Sequence, residues 1–340
     1  MPEEGRKPGG VEVFVDRLAD ALAGRGHDVE VLAYSRAPET ARYRTRRLRP
    51  LVTQRSRVVR QYVSPWLMNM RSLDGFDVAH FHGDDWFYFR RRLPVVRTFH
   101  GSALLEARTA SSWKRRLDKA LVFPLELLAA GLATASYGVG PDSEAIYGTE
   151  GMLNLGVELS EPVAPGDSNP VILFIGTWAG RKRGAFLSEI FHNKVLPVVP
   201  EAELWMVSDH CEADPSVRWI QTPSDEELRS LMAKARCFCL PSSYEGFGIP
   251  YLEAMAQGVP VVATSNPGSR LLLGGNAGIL VEDDELGSRL IEVLTDSALR
   301  SRLSKCGRAR AEEYSWERAV ERHEAAYQEA IDRWKSATVT

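Results

Sequence analysis

The chain lacks the features that mark membrane-spanning, secreted and nucleic-acid-binding proteins. No apolar run among its 340 residues approaches the length that a membrane helix needs, and the first ten residues contain no apolar segment of a secretory signal. Lysine and arginine number 42 against 45 aspartates and glutamates, so the net charge of −3 favours neither nucleic acid nor a membrane as partner. These absences predict a cytoplasmic protein.

Metal-binding patterns are lacking as well. The four cysteines do not have the paired spacing of zinc ligands, and no Asp-x-Asp triplet occurs in the chain. Cys237 and Cys239 alternate within an apolar segment, which predicts reduced thiols on a buried strand. The adjacent acids at 84–85 and 283–284 are interpreted as a turn and a solvated loop. The sequence therefore predicts neither a metal ion nor a cofactor.

The length and the order of elements predict two domains. A chain of 340 residues exceeds one ordinary core, and alternating strands and helices are typical of α/β layers with parallel sheets. Three prolines and a glycine at 161–170 predict the linker. We expect one domain over 1–160, a second over 166–314, and a terminal helix over 315–335 that docks across the domain junction through its apolar stripe.

The start of the chain departs from the usual doubly wound pattern. In such a domain a central first strand leads into the loop before the first helix, yet no apolar strand precedes Gly9. Either an upstream segment is missing from this sequence, or another segment takes the place of that strand. We favour the missing segment.

Two glutamates eight residues apart flank a glycine-rich bend. The surrounding residues indicate strand, loop, short helix and strand, which places Glu245 at the end of the first strand and Glu253 about one turn into the helix. The backbone amides of Phe247, Gly248 and Ile249 would lie at the positive end of that helix. Carboxylates accept hydrogen bonds from vicinal hydroxyls and amides bind oxyanions, so the pattern fits a nucleotide sugar. The spacing alone equally fits a solvated loop and a helix start.

The segment SSYEGFGIPYLEAMAQGVPVVAT resembles the E-x7-E region of GT-B retaining glycosyltransferases, in particular those of family 4. Further segments resemble that family in the same order: PGGVEVFVDRLADALAGRG, VVRTFHG, NLGVELS, and GNAGILVEDD with the run into the last helix. The similarity covers almost the whole chain. It implies the GT-B fold, with two Rossmann-like doubly wound domains facing a cleft and a C-terminal helix that crosses back to the N-terminal domain. The first domain would bind the acceptor and the second the nucleotide sugar.

The resemblance also implies roles for single residues. His100 would lie beside the anomeric carbon and Glu245 would contact the hydroxyls of the donor sugar, which makes these two the candidate catalytic residues. Glu253 would bind the ribose hydroxyls. Gly9 and Gly10 would form the glycine loop near the diphosphate.

A basic loop at 177–183 corresponds to the G-R…K-G loop that holds the diphosphate in this family. Thr177 stands where the resemblance places the arginine, and Arg183 stands where it places the lysine. Either Lys182 or Arg181 supplies the missing cation, or the loop is a solvated basic turn. The predicted donor-binding residues are Gly9, Gly10, Thr177, Arg181, Lys182, Arg183, Phe247, Gly248, Ile249 and Glu253.

The resemblance implies an enzyme that moves a hexose-type sugar from a nucleoside-diphosphate sugar to a hydroxyl acceptor. The donor would be a UDP- or GDP-sugar, and the reaction would be metal-independent, retaining and front-face. Thr177 and the absent first strand leave a non-catalytic nucleotide-sugar-binding or scaffold relative as the alternative. An epimerase of the same fold is a less favoured third reading.

Residues 36–60 are strongly basic, with Glu39 as the only acid, and an aromatic segment follows. The segment 86–92 repeats this combination of aromatics and arginines. Basic residues beside exposed aromatics bind anionic membrane surfaces or charged acceptors, while an arginine-rich loop and helix is an equal alternative. The predicted partners are thus the sugar donor, a hydroxyl acceptor, and a peripheral membrane or anionic acceptor contact through 36–70, which would lie at the inner face of the membrane.

Overall fold

A computed structural model describes most of the chain. The described residues are 9–33, 37–47, 66, 68–83, 85–109, 112–159, 170–212 and 214–339. The chain divides into two compact units, of which the first comprises Met1–Ala103, Ala120–Gly156 and Trp316–Thr340, and the second Leu104–Lys119 and Val157–Ser315. The predicted linker lies outside the described residues except for its last position, and so do the residues before Gly9 on which the expected first strand depends.

The described strands of the first unit all pair in parallel. Strand β1 (Glu30–Ala33) pairs with β2 (Arg44–Arg47). Strands β3 (Ala79–Phe81), β4 (Val95–Phe99) and β5 (Ala135–Gly138) form a three-stranded sheet with β4 at its centre. Every residue of β4 is buried, as expected for the central strand of a parallel sheet.

The first half of the chain contains four α-helices within the described ranges. They are α1 (Gly10–Gly24), α2 (Ala103–Thr109), α3 (Trp113–Leu132) and α4 (Asp142–Tyr147). The apolar stripe predicted for α1 forms its buried face, with Phe14, Leu18 and Leu22 one turn apart.

The second unit is built on one six-stranded parallel sheet. Its strands are β6 (Val171–Ile175), β7 (Glu203–Val207), β8 (Val217–Ile220), β9 (Cys237–Leu240), β10 (Val261–Thr264) and β11 (Ile279–Val281). The strands lie in the order β11-β10-β9-β6-β7-β8. The chain therefore runs outward from β6 to β8 and returns to β9 on the other side of β6. The loops after β6 and β9 meet where the strand order reverses, which is the usual ligand site of such sheets.

Six helices lie between or after these strands within the described residues 170–315. They are α5 (Gly184–Ile190), which continues into a π-turn, α6 (Asp225–Lys234), α7 (Ile249–Ala256), α8 (Pro267–Leu273), α9 (Leu286–Thr295) and α10 (Ser297–Glu312). The capping box predicted for α6 is confirmed: Ser224 Oγ accepts the amide hydrogen of Glu227 at 3.1 Å, and Glu227 Oε2 accepts that of Ser224 at 2.8 Å. The two cysteines of β9 are buried and have free thiols.

The last helix, α11 (Trp316–Val339), packs within the first unit. The Trp316 ring stacks on Phe14 of α1 with 5.7 Å between ring centroids. Two and three turns further on, His323 and Tyr327 lie against His80 of β3. Part of the predicted apolar stripe of this helix thus faces aromatic rings at the edge of the sheet.

The acids at 84–85 are expected to form a turn, and Asp85 begins one, since its carbonyl accepts the amide hydrogen of Tyr88 at 2.9 Å. The Asp85 side chain is completely buried and forms an ion pair with Arg97 in the middle of β4. Arg91 lies nearby, with 3.8 Å between its Nη2 and Asp85 Oδ2. A cation inside a fully buried strand needs a counter-ion, and Asp85 supplies it. Asp84 lies outside the described residues.

Of the two alternatives for the segment 86–92, the membrane interpretation requires exposed aromatics, and only some of its aromatics are exposed. Trp86 and Tyr88 are buried, and Trp86 packs against Val122 and Ala129 of α3. Phe89 is exposed. Two of its four aromatics therefore belong to the core of the first unit, and Phe87 packs against the same cluster as Trp86.

Candidate functional site

The loop after β9, residues 241–248, is held in place by its neighbours in the second unit. Asn266, just after β10, donates from Nδ2 to the carbonyl of Ser242 at 3.1 Å, and the amide of Gly268 donates to the carbonyl of Glu245 at 2.8 Å. A Cβ atom at position 268 would collide with the carbonyl of Phe247. Glycine at this position lets α8 approach the loop closely, so the backbone around Glu245 is fixed before any ligand binds.

Glu245 is the centre of a buried polar cluster. Its Oε1 accepts hydrogen bonds from Arg181 Nη1, Lys182 Nζ and Ser242 Oγ, each at 2.7 Å. Burial alone would raise the pKa of this carboxyl, but the charges of Lys182 and Arg181 outweigh that effect and hold the pKa below its ordinary value. The carboxylate is therefore ionised at neutral pH. All three contacts use Oε1, and Oε2 takes part in none of them.

Arg183 pairs with Asp283 and is not among the residues that contact Glu245. Its guanidinium forms two hydrogen bonds with Asp283, at 2.8 and 2.6 Å, and lies over the Phe186 ring at 4.0 Å. Its backbone adopts a left-handed conformation with φ of 59°, which turns its side chain away from that of the preceding residue. Lys182, and not Arg183, is thus the residue that joins Arg181 at Glu245.

Thr177 uses its side chain locally. Its hydroxyl donates to the carbonyl of Ala179 at 2.8 Å, and no cation stands at this position. The positive charge beside Glu245 therefore comes from Arg181 and Lys182, the two residues that we proposed as substitutes for the missing arginine.

The predicted amide site coincides with the start of α7. Gly248 caps the helix with φ of 97°, and a Cβ there would collide with the Tyr251 ring. Phe247 is buried and Ile249 is the first helical residue. Glu253 lies about one turn into α7 and is half-buried. The helix therefore starts directly after the loop that carries Glu245, with its positive end at that loop.

In the first unit, His100 lies at the carboxyl end of β4. Its Nε2 is 3.0 Å from Nδ1 of His82, and its ring packs edge-on against Phe14 with 5.5 Å between centroids. Burial, followed by the charges of Arg97 and His323, lowers the pKa of His100 to about 3. The imidazole is thus neutral at neutral pH and acts through hydrogen bonds rather than charge.

Sequence analysis missed the two histidines of the neighbouring strand. His80 and His82 have 3.9 Å between their ring centroids, and His80 bonds to the hydroxyls of Tyr327 and Thr98, both at 2.8 Å. Strand β3 runs parallel to β4 and in register with it, so the carboxyl ends of both strands meet at one edge. The segments HFH and TFH, read as neighbouring parallel strands, would have indicated this cluster with His100.

These histidines are expected to make the first unit sensitive to acid. Burial lowers the pKa of His80, His82, His100 and His323, that of His323 to about 4. Such a group binds its proton only in the unfolded state, so stability is lost as pH falls below the ordinary value of 6.5. We expect a loss of up to about 1.4 kcal/mol per pH unit for each histidine.

Urea unfolding between pH 6.5 and 5, followed by hydrogen exchange of the β4 amides, measures this effect. The carboxylates with lowered pKa, such as Glu245, titrate below this window. The matched variant His323→Gln removes one titrating group and should show a shallower pH dependence. An equal slope in the two proteins would contradict the assignment to these side chains.

The start of α1 departs from the predicted diphosphate loop in one contact. Gly9 and Gly10 are exposed, and nothing lies within 4 Å of a Cβ built at Gly10. The amide of Gly9, however, donates to the carboxylate of Glu12. This amide can bind a diphosphate only when the Glu12 side chain moves aside.

The described residues form neither a metal site nor a membrane span. Within the described ranges, no three side chains of histidine, cysteine, aspartate or glutamate are grouped so that they could hold a metal ion. In the same part of the chain, no helix is long and apolar enough to cross a membrane.

Comparison with sequence families gives two matches in separate parts of the chain. The family described as Glycosyltransferase Family 4 matches residues 8–137, which include Gly9, Gly10 and His100. The family described as Glycosyl transferases group 1 matches residues 201–310, which include Glu245 and Glu253. Together the two matches cover more than half of the chain.

Several curated proteins are similar to this chain. The O-antigen chain mannosyltransferase B of Escherichia coli is 36% identical over 127 residues, 36% of this chain and 33% of that protein. The GDP-mannose:cellobiosyl-diphosphopolyprenol alpha-mannosyltransferase of Komagataeibacter xylinus is 26% identical over 295 residues, 78% of this chain and 74% of that protein. The phosphatidyl-myo-inositol mannosyltransferase of Mycobacterium tuberculosis is 27% identical over 352 residues, 91% of this chain and 90% of that protein.

Solved structures share the fold. The sucrose-phosphate synthase of Thermosynechococcus elongatus has a TM-score of 0.77 at 21% identity, covering 95% of this chain and 94% of that one. The Anabaena protein HepE, solved in complex with UDP and glucose, has a TM-score of 0.70 at 16% identity, covering 95% of this chain and 96% of that one. At these identities the likeness concerns the fold.

Proposed function

This chain belongs to the family 4 glycosyltransferases and has the GT-B fold, and from that premise we propose that it moves a hexose-type sugar from a nucleoside-diphosphate sugar to a hydroxyl acceptor with retention. The observation that carries the proposal is the ionised Glu245 at the point where the strand order reverses, with Arg181 and Lys182 on its Oε1. A buried carboxylate with a fixed backbone and a second oxygen outside these contacts is suited to the hydroxyls of one sugar.

The surrounding groups suit the rest of the donor. Arg181 and Lys182 supply positive charge for a diphosphate, and the amides at the start of α7 supply hydrogen-bond donors for its oxygens. Glu253, about one turn along α7, would accept hydrogen bonds from the ribose hydroxyls. In this arrangement the cations serve both the carboxylate and the leaving group, so that no metal ion is needed to stabilise the departing diphosphate.

The proposed reaction needs no nucleophile from the enzyme. The bond between the anomeric carbon and the diphosphate oxygen breaks while a bond to the acceptor oxygen forms on the same face. The acceptor proton passes to the departing phosphate oxygen, and the products are a nucleoside diphosphate and a retained glycoside. His100, as a neutral imidazole, would hydrogen-bond the sugar beside the anomeric carbon, and His82 would fix the orientation of its ring.

Calorimetric titration with UDP, GDP, ADP and dTDP, and then with their sugars, tests the donor. We propose UDP or GDP, because related proteins are named for GDP-mannose and a protein of this fold was solved with UDP.

Arg181→Ala should weaken nucleotide binding about tenfold or more, since it removes a charge-assisted hydrogen bond. The matched variant Arg183→Ala, which loses a cation that faces Asp283, should change the affinity little.

Failure of all four nucleotides to bind would contradict the proposal, and so would equal losses in the two arginine variants.

A second candidate is a nucleotide-sugar-binding or scaffold protein without transfer activity. Two observations favour it: Thr177 leaves one expected cation absent, and the Gly9 amide is engaged by Glu12. Donor binding without release of nucleoside diphosphate would support this candidate over the transferase.

We also retain the proposal of a peripheral contact through residues 36–70, with an anionic membrane or a charged acceptor. Most of these residues lie outside the described ranges. Among those described, Trp66 and Met70 are exposed, and Asn69 between them bonds to the backbone of Phe87 and Phe89. This places two exposed apolar side chains on an anchored turn.

A further inference from the structure

Helix α3 is apolar on two sides. On one side Val122 and Ala129 pack against Trp86 and Ala103 in the core of the first unit. Five large apolar side chains of the same helix are instead exposed to solvent: Trp113 by 71%, Leu117 by 53%, Leu121 by 58%, Leu127 by 41% and Leu128 by 41%. A surface helix of a globular protein normally carries one apolar stripe, the one that faces the core.

The exposed side chains form a continuous stripe. Trp113, Leu117 and Leu121 follow one another at intervals of four residues, and Leu128 continues the same side two turns later. Because all of them lie on one helix, which rises about 1.5 Å per residue, the stripe is roughly 22 Å long. A contiguous apolar patch of this kind marks an interaction site rather than an ordinary surface.

The charges beside the stripe indicate what covers it. Lys114, Arg115 and Arg116 occupy the first turn of α3, where cations oppose the helix dipole. Arg115 and Lys119 share the carboxylate of Glu106, at 3.4 and 3.1 Å. The first turn itself contains no acid. Arg115 is paired with Glu106, whereas Lys114 and Arg116 take part in none of the ion pairs among the described residues, so these two cations can contact an outside partner.

We propose that the exposed face of α3 docks on an anionic lipid surface. The apolar stripe would enter the boundary between headgroups and acyl chains, with Trp113 at the interface and Lys114 and Arg116 at the lipid phosphates. The charged first turn fits a helix that lies in the plane of the membrane. Like the other described helices, α3 is not long and apolar enough to cross a membrane. This inference does not depend on the donor site or on transfer.

Vesicle co-sedimentation of the full chain tests the proposal. Vesicles of phosphatidylcholine with phosphatidylglycerol should bind the protein, vesicles of phosphatidylcholine alone should bind it more weakly, and added salt should reduce the binding. The double variant Leu117→Glu with Leu121→Glu should bind anionic vesicles about tenfold or more weakly, since it removes two apolar anchors. The matched control is Val198→Glu, at an apolar position of the second unit that is 60% exposed.

Circular dichroism and thermal unfolding establish that the variants are folded, which is expected because the changed positions are exposed. Equal binding of the double variant and the Val198→Glu control to anionic vesicles would overturn the proposal, as would absence of binding by the unchanged protein. So would a dimer in sedimentation that the double variant abolishes, because the stripe would then be an interface between copies. Loss of vesicle binding by the double variant, with its nucleotide affinity unchanged, would support the proposal.

Discussion

Glu245→Gln is expected to lower the rate of sugar transfer by about a hundredfold or more, as removal of a single preorganised electrostatic contact does in other active sites. The glutamine keeps the shape of the side chain but loses its charge. Arg181 and Lys182 would then lose the carboxylate that now orients both of them. The change therefore affects the sugar hydroxyls and the diphosphate cations together.

The control for this prediction is Glu226→Gln, which removes an exposed carboxylate from α6 in the same unit. It should leave transfer unchanged. Because Lys182 is largely buried, with its side chain 15% exposed, the Glu245 variant will also lose some stability. Rates are therefore compared at a temperature where circular dichroism shows both variants folded. An unaltered transfer rate in folded Glu245→Gln would remove this carboxylate from the mechanism.

Asp85→Asn is expected to cost the first unit about 3–5 kcal/mol of unfolding free energy, the usual effect of breaking a buried ion pair. Arg97 would keep its charge inside a fully buried strand with no counter-ion of equal charge. Urea unfolding followed by hydrogen exchange of β4 measures the loss. The matched control is Asp283→Asn, whose pair with Arg183 is exposed on the aspartate side, and which should cost less than about 1 kcal/mol.

A double variant separates the lost pair from lost packing. Replacing both partners, with Asp85→Leu and Arg97→Met, removes the unpaired charge of Arg97 and should recover part of the stability that Asp85→Asn loses, while Arg91 still lacks the nearby carboxylate. A double variant less stable than Asp85→Asn would contradict the view that the unpaired cation is the source of the damage.

The local order of elements around Glu245 was predictable because its signals are local. The apolar strand, the glycine bend, and the helix start near Pro250 follow from neighbouring residues, and the structure has β9, the loop and α7 in those places. The predicted N-terminus of α6 was likewise set by Ser224 and Glu227, three residues apart.

The contacts that sequence reasoning missed depend on the fold. Asp85 lies in the loop before β4 and meets Arg97 within that strand, and His82 meets His100 because β3 and β4 are parallel neighbours. The spacing of these residues along the chain predicts neither contact. A different cause places Lys182 at Glu245 and Arg183 at Asp283. The left-handed backbone of Arg183 sends these adjacent side chains in different directions. Residue type alone does not specify this backbone angle.

The most direct test of the central claim is turnover of UDP- and GDP-sugars, followed by NMR of the released nucleoside diphosphate and of the first anomer formed. The unchanged protein should release the nucleoside diphosphate from one of these donors and form a product with the anomeric configuration of the donor. Glu245→Gln, folded and at equal concentration, should release almost none. Equal release by the two proteins, or an inverted first product, would contradict the account of a retaining transferase built around Glu245.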